Sequence, residues 1–155
     1  MIIVNFKNYN YGIKTLDIVR KIDIYCNKAI VAVPFIDIRD IVKNTTLPVY
    51  GQHVDYFESG RATGFITPES LKEAGASGSL LNHSEHQISF AAIKKTVERC
   101  KNLGLKLVIC VKSIKEAEKI AKLKPYAIAF EEPKLIATGK SIGYYKKNQI
   151  KKFLE

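Results

Sequence analysis

Six short runs of apolar residues, each followed by a polar or amphipathic stretch, constrain this chain more than anything else in it. In order they are IIVNF, AIVAVP, LPVYGQ, GSLLNH, LKLVICV and YAIAFE. Runs this uniformly apolar are strands covered on both faces, and alternation with helices makes the sheet they form parallel. The intervening segments carry the helical period: TLDIVRKIDIYC sets Leu16, Ile18, Val19 and Ile22 on one face. IDIRDIVKN, TPESLKEAG, AAIKKTVERCKNLG and SIKEAEKIAKL read the same way, and the tail is predicted helical from about Tyr144. Thr67 is the expected cap of the third helix, with Pro68 at its first position and Gly75 past its end. Gly104 closes the fourth, and Ser113 caps the fifth. No linker interrupts the series. The expectation is a single α/β domain over residues 1–155, built from six β/α units with a parallel sheet.

Composition narrows the function. No apolar run approaches the ~20 residues that span a bilayer, and MIIVNFKNYN lacks the features of a signal peptide, so no membrane role is expected and a cytoplasmic location is. Cys26, Cys100 and Cys110 are odd in number and share no CxxC-like spacing, which argues for reduced thiols rather than a disulfide framework or a metal site. The net charge of +10 raises nucleic acid as a partner. The lysines are spread through the helical segments, however, and are densest only in YYKKNQIKKFLE, so a solvated face is expected and nucleic-acid binding is not. The same positive field would draw in a small phosphorylated substrate.

In parallel β/α folds chemistry collects where strands end. Strand one ends in Asn5-Phe6-Lys7, strand three in Gln52-His53, strand four in Asn82-His83-Ser84-Glu85 and strand six in Glu131-Glu132. Each has a bland reading alone: a snorkelling lysine, a structural histidine, solvated glutamates. Together on one rim they form an acid/base set around a site for an anionic substrate.

These motifs resemble the triosephosphate isomerase family, in particular its shorter archaeal-type members. The family's N-x-K matches Asn5-Phe6-Lys7, its strand-four His-Ser-Glu matches NHSE, and its strand-six glutamate with a proline and a glycine-ending loop matches FEEPKLIATG. QHVDYFESGRATG resembles the family's loop that enters a neighbouring subunit, with Thr63 and Gly64 at its tip. The resemblance implies a TIM barrel and interconversion of dihydroxyacetone phosphate and D-glyceraldehyde 3-phosphate through an enediolate, a step of glycolysis and gluconeogenesis needing no cofactor.

By the motif match Glu131 is the base, His83 the electrophile and Lys7 the cation, with Asn5 contacting substrate. Ser84 and Glu85 support them, and the lid from Lys134 to about Lys140 donates backbone N–H groups to the phosphate from about Ile136 and Ala137. In this family, itself the reference case for the effect, the histidine works as a neutral electrophile at a helix N-terminus, and lid closure excludes water. Residues 84–87 are expected to start such a helical turn. Cys110 resembles a family cysteine tied to packing, and the Thr63-Gly64 loop implies a homo-oligomer, tetrameric in archaeal-type members.

The chain departs from the pattern in four respects. Glu132 stands where a proline usually follows the base, Ala137 replaces a lid glycine, and His86-Gln87 replaces a basic pair. Adjacent residues on an extended segment point apart, so Glu132 is expected to perturb Glu131 little. The chain ends at Glu155, near the sixth helix, so strands seven and eight of an eight-unit barrel, with their phosphate-binding loops, are expected to be absent. A second polypeptide carrying those units is then the expected partner. The alternative is an inactive truncated barrel that binds a sugar phosphate or a protein.

Overall fold

Each of the six apolar runs becomes a strand in the computed structural model, which describes every residue except 137, 142, 144–146 and 155. The strands are β1 (Ile2–Asn5), β2 (Ala29–Val33), β3 (Val49–Gly51), β4 (Gly78–Leu81), β5 (Lys106–Val111) and β6 (Ala127–Phe130). They form one sheet in sequence order, and every neighbouring pair is parallel. The helices are α1 (Ile13–Tyr25), α2 (Ile38–Val42), α3 (Pro68–Glu73), α4 (Phe90–Asn102), α5 (Ile114–Ala121) and α6 (Lys147–Leu154).

Successive side chains on a strand face opposite ways, and the two faces here have different partners. Val31, Val33, Val49, Leu81, Ile109 and Val111 pack with helix residues such as Val19, Ile41, Leu71, Val97 and Ile120. On the other face Ile30, Ala32, Tyr50, Leu80 and Val108 pack against one another, joined by Ile3, Ala127 and Ala129, with no helix residue among them. A sheet whose one face is filled by its own side chains has curled around that face. The architecture is an incomplete parallel β/α barrel.

The edges differ from the centre. Every residue of β2, β3 and β4 is buried, whereas β6 is half-buried throughout and Ile2 of β1 is 54% exposed. Outside β6 lie α5 and α6, and the α6 residue Phe153 sets its ring 5.4 Å from that of Phe130.

Local chemistry fixes the helix ends. Thr67 and Ser113 accept backbone N–H groups from Ser70 and Glu116 as caps, and Pro68 takes the first position of α3. Gly75 follows α3 at φ 93°, and a β-carbon there would meet Val42 Cγ1 at 2.8 Å, so both conformation and space require glycine. Three ends differ from the sequence reading. α4 begins at Phe90 on a Ser89 cap. α1 begins at Ile13, because the carboxylate of Asp37 accepts the Gly12 N–H at 2.9 and 3.0 Å and turns the chain there. The segment after Pro34 forms a 3-10 turn, Phe35–Asp37, before α2. The predicted start of the tail helix at Tyr144 falls outside the described residues.

Candidate active site

Alternation along the strands decides which polar residues reach the site. Two residues beyond the inner-facing Ile3, Tyr50, Leu80, Val108 and Ala129 come Asn5, Gln52, Asn82, Cys110 and Glu131, which the pleat directs to one rim. Beside them opens a cleft of about 710 Å³ lined by Asn5, Lys7, Tyr9, Tyr11, Gln52, His53, His83, Glu85 and His86, among others.

Glu131 and His83 meet directly, His83 Nε2 lying 3.1 Å from Glu131 Oε1. The other carboxylate oxygen accepts the Ser84 N–H at 2.9 Å. Both side chains are nearly buried, 11% exposed for His83 and 14% for Glu131. The Glu85 N–H donates to His83 Nδ1 at 3.1 Å, which reserves the lone pair there. The ring proton therefore sits on Nε2 and is donated to Glu131. The expected helical turn after His83 is a single hydrogen-bonded turn, His86 N–H to His83 carbonyl at 2.8 Å; the next helix starts only at Phe90.

Lys7 occupies the left-handed region at φ 49°, uncommon for a side chain of its size. Asn5 Oδ1 accepts the Lys7 N–H at 2.9 Å, and Gln52 Nε2 donates to the Lys7 carbonyl at 2.8 Å, so this conformation is held from both sides. The ammonium group pairs with Glu85 Oε1 at 2.7 Å. Gln52 is legible in the sequence as a strand-end residue, but its grip on Lys7 is not, because it joins positions 45 residues apart.

Cys110 lies against the carboxylate. Burial, then the negative charge of Glu131 and a hydrogen bond to it, push its thiol well above the usual range. It stays protonated and donates to Glu131, a packing role rather than a nucleophilic one. Cys100 is buried as well, its thiol pushed up to about 12 chiefly by burial, and all three cysteines are free.

Other expected residues lie elsewhere. Thr63 and Gly64 are exposed at the tip of a loop whose base is closed by Asp55, which exchanges hydrogen bonds with Ile66 at 2.8 and 2.9 Å. Ile136 is half-buried and does not line the cleft, and Ala137 lies outside the described residues. After β6 the chain folds on itself, with Leu135 N–H donating to the Glu132 carbonyl and Thr138 N–H to that of Leu135. Glu132 turns its carboxylate to the Lys134 N–H at 3.5 Å, while Glu131 enters the site. Where the family's basic pair is replaced, Lys112 Nζ donates to Gln87 at 3.1 Å and the His86 ring stacks on His53 at 4.0 Å.

The chain as a whole has counterparts among known proteins. The sequence profile of the family described as triosephosphate isomerase matches residues 1–155. The chain belongs to the triosephosphate isomerase family. It is 39% identical to the triosephosphate isomerase of Methanocaldococcus jannaschii, over 90% of this chain and 66% of that protein. To that of Metallosphaera sedula it is 43% identical, over 92% and 65% respectively. In structure it resembles the triosephosphate isomerase of Bartonella henselae, with a TM-score of 0.66 and 27% identity, across 77% of this chain and 54% of that one. The chain thus spans about two thirds of the length of these archaeal relatives. Among the described residues no helix is long and apolar enough to cross a membrane, and no cluster of three metal-ligating side chains occurs.

His53 gives the rim a pH dependence. Burial lowers its pKa from the ordinary 6.5 and the neighbouring His86 adds to this, while Asp55, 3.2 Å away, opposes it. The unfolded chain therefore binds this proton more readily than the folded one, and stability rises with pH through the window below 6.5. The melting temperature is expected to drop as pH is lowered from above 6.5 toward the depressed folded value, and His53→Gln should flatten that slope. An unchanged slope in the variant would assign the dependence to other groups.

Proposed function

We propose that this chain carries the chemical groups of a triosephosphate isomerase, and that turnover requires two further β/α units between β6 and β1. The observation that supports the reading best is the Glu131–His83–Lys7 constellation. A carboxylate, an imidazole with its proton on Nε2 and an ammonium group converge from the ends of three different strands beside one cleft.

In this reading Glu131 takes a proton from the substrate carbon adjacent to the carbonyl. His83 donates from Nε2 to the carbonyl oxygen, so that an enediolate forms, and carries a proton between the two oxygens. Glu131 returns its proton to the neighbouring carbon, which completes the exchange of ketose and aldose. Lys7 supplies positive charge where negative charge develops, and Asn5 keeps its backbone aimed at the site. Glu131 is here bonded to His83 and Ser84, so substrate must draw it away from both before it can act. Residues Lys134 to Lys140 would close over the phosphate, with backbone N–H groups of about Ile136 and Ala137 toward its oxygens. The Thr63-Gly64 loop would meet a second copy of the chain, and the protein would work in the cytoplasm.

The half-buried edges β1 and β6 favour completion by added strands, since uncovered apolar edges invite pairing. The test is an isomerase assay of the purified chain, alone and mixed with a polypeptide carrying the two further units of an archaeal-type relative. Activity is expected only in the mixture. A stable, folded complex with Glu131 and His83 intact but without isomerisation would overturn the proposal. It would favour a barrel that only binds a sugar phosphate or a protein.

A further inference from the structure

We infer that Asn82 is a positioning residue: it locks the loop from His83 to Ile88 in the one geometry that sets the histidine tautomer and seats Glu131. Asn82 is 3% exposed and takes φ 59°, a conformation that asparagine tolerates better than other residues with a side chain. Its amide is satisfied on both sides, the nitrogen by groups distant in sequence and the oxygen from the far end of the loop. Nδ2 donates to the Cys110 carbonyl at 2.9 Å and to Glu116 Oε1 at 3.3 Å, while Oδ1 accepts the Ile88 N–H at 3.0 Å.

Each bond fixes a different part of the site. The bond to Cys110 ties the end of β4 to the end of β5, immediately beside the thiol that donates to Glu131. The bond from Ile88 closes a ring around His83, Ser84 and Glu85, the segment whose backbone N–H groups meet Glu131 and His83 Nδ1. Glu116 extends the tie to α5, in which it lies, and its other oxygen accepts the Lys112 N–H at 2.9 Å. The left-handed turn at Asn82 redirects the chain, and the side-chain bonds decide where the redirected chain stops. Without them only the loop's own turn, the Ser84 bond to Glu131 and the Lys7–Glu85 pair hold the Glu85 N–H toward Nδ1, and the ring gains freedom to carry its proton on either nitrogen.

The inference rests on His83 and Glu131 being the reacting pair, but its test reads geometry and not turnover. Asn82→Gly keeps the backbone conformation and removes all three bonds. Two measurements compare it with the parent chain: ¹⁵N shifts of the His83 ring nitrogens, and hydrogen exchange of the Ser84 and Glu85 amides against those of Val108 and Ile109 in β5. In the parent, Nδ1 is expected to be the unprotonated nitrogen. In N82G a mixed tautomer is expected, with Ser84 and Glu85 exchanging at least about tenfold faster while the β5 amides change less, as local rather than global opening requires. Equal acceleration of all amides, or an unchanged tautomer in the folded variant, would overturn the inference. Should N82G not fold, Glu116→Ala supplies the second test. Glu116 is half-buried, and truncation removes the oxygen that accepts Asn82 Nδ2 while leaving the bonds to Cys110 and Ile88 in place. The same two amides must then quicken by a smaller factor, and no change in E116A would refute the positioning role.

Discussion

Replacing Glu131 by Gln is expected to lower isomerisation by the completed barrel about a thousandfold, within the ~10²–10⁴ range for loss of a positioned general base. Glutamine has nearly the shape of glutamate, but its carbonyl oxygen cannot hold the carbon proton. In the free protein it must also put an NH₂ group opposite either His83 Nε2–H or Ser84 N–H, both of which donate. One hydrogen bond is lost, so stability should fall by only about 1 kcal/mol. The deficit should sit in kcat, with KM little changed, because the base acts on bound substrate. Glu132→Gln is the control. Its carboxylate faces the Lys134 N–H and belongs to the opposite face of the extended segment, so the rate should stay within about threefold. Comparable losses in both variants would mean that the two carboxylates share the proton, contrary to the separation that the strand enforces.

That separation follows from the order of the residues alone, because it depends only on the two-residue repeat of a strand. Ala127, Ala129 and Glu131 share a face, and Glu132 belongs to the other. The same rule brings Asn5, Gln52 and Asn82 to the rim, and the six apolar runs mark the strands and their parallel order. The sequence says less about what the rim residues do to one another. The His53–His86 stack joins positions in two different loops, and the Asp37 clasp on Gly12 spans 25 residues and starts α1 earlier than its apolar period suggests. The proton on His83 Nε2 depends on where a loop aims the Glu85 N–H, and no spacing rule encodes that. Caps are legible where the residue type is diagnostic and the helix pattern begins at once, as at Thr67 and Ser113. At Ser89 the apolar period is clear only from Ala91, which leaves the cap hidden one residue further back than the pattern points. Strand alternation and capping are local, one-dimensional rules; loop conformation is set by partners far along the chain.

The largest loss of stability from a single added methyl group is expected at Gly78, at the start of β4. It pairs with Tyr50 on β3 and with Lys106 on β5. A β-carbon built there would lie 2.1 Å from the Lys106 carbonyl oxygen and 2.6 and 2.8 Å from two atoms of the Tyr50 ring. Neither neighbour can yield cheaply. The carbonyl belongs to the β5 backbone, and the ring is 1% exposed in the barrel interior, where burial pushes its hydroxyl up to about 12. Overpacking a core usually costs ~1–3 kcal/mol, and two rigid neighbours raise the expectation for Gly78→Ala to about 4 kcal/mol or more. For a domain of this size that lowers the melting temperature by roughly 8–16 °C. Ser79→Ala is the comparison: it is the next residue, on the opposite face, and its hydroxyl donates only to the Leu80 carbonyl, so about 1 kcal/mol is expected. Trimming Tyr50 to Leu in the G78A background should recover only part of the loss, because the carbonyl clash remains. The site should feel the strain as well. β4 runs from Gly78 directly to Asn82 and His83, so a strand pushed away from β5 pulls the Asn82 amide off the Cys110 carbonyl. The ¹⁵N shifts of His83 in G78A should therefore change in the same sense as in N82G, and a G78A protein with the parent's His83 spectrum would show that the strain ends before the rim.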